Sequence, residues 1–404
     1  MKRMITLELA AALLVTLLTA CAAQPDGADY AWQYDSASNI TTLQESADGY
    51  WFVTRSGCLF FLDKAGGDAV FLCARPNCLH DGEPRPESCS AYIRFPAASP
   101  RPLLWLYEDR LWALTEDPAT GQGTTDALVT MDPDGQNRRT VCTFPAGEKA
   151  WMAIIHRGAL YAVFLSFDEQ GRTCQKLYRV RLNGKGGPET LAEYEPGDNI
   201  NRLTALDGYL YYIRVRNTNT VRDTDAAADR TAERLDIRTG KRQTLELGDE
   251  DWLSTDITFA DGALYVTQRR AGEIDTDGTA RVYRCGTDGS DRMLCIEGRG
   301  VCSSDGERIY CLRRNYEGTY TYDTPPEPSA LVIYDLQGDE LDRLPLDDLP
   351  CGKIGMVSVF PTAGDSVLFS VLGGDGMVYL YRFPKAGIGV GQLAAEPLGE
   401  YRFA

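Results

Sequence analysis

One pattern recurs along nearly the whole chain and leaves few folds open to it: a turn followed at once by an apolar, aromatic strand. It reads "ADGYWFV" (47–53), "YEDRLWAL" (107–114), "HRGALYAV" (156–163), "LDGYLYYI" (206–213), "ADGALYVT" (260–267), "SDGERIYCL" (304–312) and "AGDSVLFSV" (363–371). The aligned aromatic positions are Phe52, Trp112, Tyr161, Tyr211, Tyr265, Tyr310 and Phe369, at a mean spacing of about 53 residues. A short apolar segment precedes each turn, as in "WMAII" (151–155) and "DITFA" (256–260). A second hairpin follows, as in "KLYRVRLNGKGGPETLAE" (176–193) and "ARVYRCGTDGSDRMLCIE" (280–297). Alternating apolar residues around Asp-Gly, Asn-Gly and Thr-Gly are hairpin signals. Each unit therefore supplies four antiparallel strands.

A single four-stranded unit cannot bury both of its faces, whereas units stacked around an axis bury them against one another. The expected fold is all-β, a β-propeller of seven four-stranded blades over residues 31–404. Six or eight blades would follow only if a terminal unit were misassigned. Helical periodicity is nearly absent. The polar stretches "NTNTVRDTDAAADRTAE" (217–233) and "RNYEGTYTYDTPPEPSA" (314–330) read as long loops between second and third strands, on one face of the ring.

The N-terminus reads as an export signal. Lys2 and Arg3 precede an apolar run from Leu9 to Leu18, too short to span a bilayer. The run ends in Leu18-Thr19-Ala20-Cys21, which resembles the bacterial lipobox. The resemblance implies a signal peptide at 1–20, a diacylglyceryl (palmitate-bearing) Cys21 and a short linker over 21–30. The expected location is exported and lipid-anchored to the bacterial cell membrane, held to it by acyl chains alone. The whole chain carries −17; loss of Lys2, Arg3 and Glu8 with the signal would leave −18. Such an acidic body argues against a nucleic-acid partner.

The segment "FLCARPNCLHDGEPRPESCSAYI" (71–93) holds Cys73, Cys78, His80 and Cys89. Three thiols and an imidazole make a set that suits one structural tetrahedral zinc. Two other readings fit the same residues: a disulfide, such as Cys78–Cys89 or Cys73–Cys89, and unlinked thiols. The segment is expected where the last strand of blade 1 crosses to blade 2. Removing Cys21 from the 12 cysteines leaves eleven, which cannot all pair. Cys285 and Cys295 flank one hairpin turn and Cys302 and Cys311 another, so cross-strand disulfides are weighed against packing as small buried residues.

Catalytic signatures do not emerge. His156, ahead of Arg157-Gly158, reads as a turn residue, and no Gly-x-Ser-x-Gly elbow accompanies it. The acidic turns at 132–135, 275–278 and 286–291 lack the remaining ligands of a calcium loop. "LDGYLYYI" and "MDPDGQNRRTV" are similar to exported bacterial propellers of the TolB-like and DUF5050-like group. The residues Cys73, Pro76, Asn77, Cys78, His80, Asp81, Cys89, Ala91 and Tyr92 resemble a motif of lipid-anchored propellers in Firmicutes. The resemblance implies a surface lipoprotein and no particular activity. The expected role is a monomeric binding module for an envelope protein, a peptide or a glycan. The alternatives are a lyase or hydrolase working in the propeller channel, and a structural or sensory surface subunit.

Overall fold

The computed structural model describes Gln33 and residues 42–402, apart from 55, 66, 74, 76, 79, 81–88, 95–102, 118–124, 217–228, 248–251, 271–279, 315–327, 361, 363 and 392. The signal, Cys21 and the linker fall outside these residues. Seven four-stranded antiparallel sheets form a seven-bladed β-propeller, and in each the spatial order of strands is their order in the chain. Blade 1 comprises Thr42–Glu45, Gly49–Val53, Leu59–Asp63 and Val70–Phe71. Blades 2 to 7 run over 103–143, 149–193, 199–244, 252–297, 301–345 and 354–402. Beyond strands, the described residues contain a short 3-10 turn at Lys385–Gly387. No helix among them is long and apolar enough to cross a membrane.

Seven apolar clusters lie one between each pair of neighbouring blades. The recurring aromatic fills this space, and in blades 4 and 5 it also donates a hydrogen bond forward. Tyr211 Oη donates to the Thr287 carbonyl (3.1 Å) and Tyr265 Oη to the Leu336 carbonyl (2.9 Å), each in the outer hairpin turn of the next blade. In blade 1 the residue that does this is Trp51, whose Nε1 donates to the Pro133 carbonyl at 2.8 Å.

That last contact corrects the sequence alignment at the two terminal units. Phe52 and Phe369 face the preceding blade, whereas Trp51 and Leu368 face the following one. The cause is turn length. Two-residue turns at 157–158, 207–208 and 261–262 keep one register. Blade 1 has four residues between Glu45 and Tyr50, and blade 7 has a longer connection between Phe360 and Leu368. A one-residue change of register moves every side chain to the other face.

The outer turns also lock onto the previous blade. Gly338, at φ +96°, sits so close to the Cys295 backbone that a β-carbon there would lie 1.9 Å from the carbonyl oxygen. Gly135 makes the equivalent approach to the Leu72 carbonyl at 2.8 Å.

Among the described residues, blades 1 and 7 share no strand, and side chains pack across the seam between them. Leu43, Tyr50, Phe52 and Leu62 pack against Phe360, Leu368, Val378 and Leu380. Phe52 stacks on Tyr401 (5.8 Å), and Arg382 Nη1 donates to Tyr50 Oη (2.8 Å). The connections at 217–228 and 315–327 join second to third strands, as the sequence indicates, although Asp229–Glu233 belong to the third strand of blade 4.

Gly338→Ala should destabilise the propeller by at least about 2 kcal/mol, from backbone strain plus the clash with the Cys295 carbonyl. Gly184→Ala, at φ +72° with open space around it, should cost about 1 kcal/mol. Urea unfolding of the two variants checks the difference.

Candidate metal centre

The fourth strand of blade 1 is interrupted, and this creates the site. Val70–Phe71 pairs with Phe60 and Phe61. The Leu72 amide continues the ladder by donating to the Leu59 carbonyl (3.0 Å). The chain then leaves and returns at residues 91–93. There the Leu59 amide donates to the Ala91 carbonyl, and the Ile93 amide to the Gly57 carbonyl, both at 2.8 Å. Cys58 and Tyr92 form an antiparallel bridge. The two halves thus lie in line along the third strand. The segment therefore splits the outer strand of blade 1, rather than simply crossing to blade 2 as the sequence position suggests.

Cys73 and Cys89 stand at the two feet of this excursion, with Cys78 and His80 inside it. One ligand atom from each of the four lies within 4.8 Å of all the others. The Cys89 thiol donates to Cys73 Sγ at 3.6 Å, a non-bonded separation, and all four residues carry unlinked side chains. A tetrahedral zinc with bonds of about 2.3 Å to sulfur holds its sulfurs about 3.8 Å apart. The observed spacing is close to that.

Two further observations fit a metal. Among the described residues the buried His80 Nε2 has no hydrogen-bond partner, a costly state for a ring nitrogen unless something binds there. The His80 ring stacks on Phe71 at 4.4 Å and 6° between planes, and its backbone adopts φ +59°.

The thiols are electrically unlike. Burial alone would push Cys73 up, but hydrogen bonds from the Arg75 amide, His80, Cys89 and Ser90 outweigh it and bring it down to about 6. Burial and the neighbouring Cys78 and Cys73 push Cys89 up to about 11. One sulfur is thus a ready thiolate, the protonation state a metal requires.

Blade 2 holds the feet of the excursion. Arg138 Nη1 donates to the Tyr92 carbonyl (2.7 Å), and Nη2 donates to the Ser90 carbonyl. Sequence patterns carried no hint of this, because Arg138 lies 46 residues from Tyr92.

The other candidates separate. Cys285 faces the cluster between blades 4 and 5, while Cys295 packs against that between blades 5 and 6. They lie on opposite faces of one sheet, so no disulfide joins them. Cys311 is buried, and the side chain of Cys302 lies outside the described residues. The turns at 132–135 and 286–291 are hairpin turns, and 275–278, Pro76 and Asp81 fall outside the described residues.

His156 is a buried strand end rather than a turn residue. Its Nε2 lies 3.1 Å from the Asp207 carbonyl, and its Nδ1 lies 3.5 Å from Gln33 Nε2. On the inner strands, Arg202 of blade 4 meets Asp256 of blade 5 at 3.4 Å. Water loss around Asp256 pushes its carboxyl up, opposed by Arg202. This pair was not legible in sequence, since it forms only when the blades meet.

No protein-family model matches the chain, and no curated protein matches it by sequence. Solved structures do. One, described as an oligogalacturonate lyase in complex with manganese, has a TM-score of 0.52 at 11% identity, covering 85% of each chain. A prolyl endopeptidase structure has a TM-score of 0.57 at 11% identity, over 92% of this chain. This chain spans only 51% of that peptidase chain. A putative TolB from Agrobacterium tumefaciens matches 65% of this chain and 78% of its own at 10% identity, with a TM-score of 0.34. At such identities the likeness to the lyase and the peptidase establishes the fold and nothing finer.

In the metal-free protein, iodoacetamide should alkylate Cys73 with a midpoint near pH 6, far ahead of Cys89. The sign follows from the thiolate being the nucleophile, so reactivity rises as pH climbs through that value. Peptide mapping after timed alkylation checks it.

Proposed function

We propose that this chain is an exported propeller of the TolB-like kind. Cys21 is lipidated and the body serves as a binding module for an envelope protein, a peptide or a glycan. The observation that carries this reading is the asymmetry of the two faces. One face carries turns as short as two residues, at 157–158, 207–208 and 261–262. At the opposite face the second and third strands of blades 4, 5 and 6 end with 12, 9 and 13 residues of chain between them, 217–228, 271–279 and 315–327. Long loops presented by a rigid ring are where such scaffolds bind.

Gln33 supports an orientation. Its Oε1 accepts from Thr204 Oγ1 (2.8 Å) and from the Ala205 amide (2.6 Å), close to the short-turn face. Twelve residues separate it from Cys21, a reach of at most about 40 Å. On this reading the short-turn face lies toward the membrane and the long loops point away from it.

The Cys73, Cys78, His80, Cys89 centre is read as one structural zinc. All four ligands come from the protein, which closes the coordination shell and leaves no position for a substrate. Its work is to clip the split strand. A staple closing a loop of this length is worth about 3 kcal/mol in chain entropy.

Palmitate labelling of cells should mark the wild-type chain and fail for Cys21→Ala; unchanged labelling would remove the anchor. Photo-crosslinkers at positions 222 and 320 should give discrete adducts in cells, and one at position 157 should not. Equal capture from both faces would overturn the binding reading. Native mass spectrometry should show one zinc per chain, lost in Cys78→Ser, with a lower unfolding midpoint after chelation.

A further inference from the structure

The same residues carry a second chemistry. We propose that Cys73 and Cys89 form an oxidation site. A peroxide-class oxidant joins them in a disulfide, expels the metal, and leaves blade 1 closed. The proposal rests on the reading of the centre as a metal clip.

Three features single out this pair. The two sulfurs are already 3.6 Å apart, so bonding requires a short approach rather than a rearrangement. They stand at the feet of the excursion, beside Leu72 and Ala91, which the Leu59 amide and carbonyl hold in line. A Cys73–Cys89 bond therefore staples the split strand at the place where the metal does. The two residues also differ in access. Cys89 is only 4% exposed, whereas Cys73 is partly open to solvent.

The reaction balances with a peroxide as the named oxidant. The Cys73 thiolate attacks one peroxide oxygen. An S–O bond forms and the O–O bond breaks, giving a sulfenic acid and, with one proton, a water. Cys89, resolving from inside, attacks the Cys73 sulfur as a thiolate. The S–S bond forms, the S–O bond breaks, and hydroxide leaves as a second water on taking a proton. Two electrons pass from the sulfurs to the peroxide. Two of the four ligands are consumed, and Cys78 and His80 alone do not hold a zinc. A thiol reductant reverses the step by exchange, becoming a disulfide itself.

The test uses the full chain loaded with one zinc and treated with stoichiometric hydrogen peroxide. A chromogenic chelator should report one zinc released per chain. The intact mass should fall two hydrogens below that of the reduced metal-free chain, and peptide mapping should find Cys73 joined to Cys89. Dithiothreitol plus zinc should restore the starting state. Metal-free Cys78→Ser should still form the cross-link, while Cys89→Ser should stop at a Cys73 sulfenic acid captured by dimedone. A zinc-loaded chain that oxidises with Cys78 in the cross-link, or without any cross-link, overturns the switch and leaves the metal reading standing. A chain that never holds zinc yet forms Cys73–Cys89 overturns the metal reading and keeps the oxidation site.

Discussion

Everything in this molecule depends on the contact between neighbouring blades. Each blade has two apolar faces, and only another blade can cover them. The contact has a repeated mechanism. An aromatic on the second strand reaches forward to a carbonyl in the next blade's outer turn, as Trp51, Tyr211 and Tyr265 do. The glycine of that turn, as at Gly338 and Gly135, sits flat against the previous blade's outer strand. At the seam between blades 7 and 1, no strand is shared among the described residues, and packing and the Arg382–Tyr50 hydrogen bond join the two blades.

The candidate metal centre is joined to that seam. A row of rings runs from Tyr401 of blade 7 through Phe52, Phe60 and Phe71 to His80, with successive centroids 5.8, 5.1, 4.3 and 4.4 Å apart. Blade 1 is the blade whose outer strand is broken, and it also meets blade 7 at the ring closure. A metal at the Cys/His cluster would clip the fourth-strand position against the third strand, and Arg138 of blade 2 ties down the Ser90 and Tyr92 carbonyls.

Much of the fold was legible because its signals are local. Turn glycines, alternating apolar residues and an aromatic at fixed distance from each turn are read within ten residues of chain. The Cys/His cluster was legible for the same reason, since Cys73, Cys78, His80 and Cys89 lie within one short segment. Register was not: at Phe52 and Phe369 the aromatic aligned by sequence points backward, because turn length sets the face. Cys285 and Cys295 look like partners across a turn until a bulge at Cys295 and the two faces of the sheet separate them.

By itself the sequence determined the all-β class, the four-stranded repeat, the count of seven and the identity of the four residues in the Cys/His cluster. All of these are short-range properties of the chain. Only the tertiary structure decided which way each aromatic faces and how blade 7 meets blade 1. It also decided that the 71–93 segment splits a strand, and where Gln33, Arg138 and the Arg202–Asp256 pair make their contacts. Those features join residues from tens to more than three hundred positions apart. They exist only once the blades stack, because the surfaces that create them are made by the stacking itself.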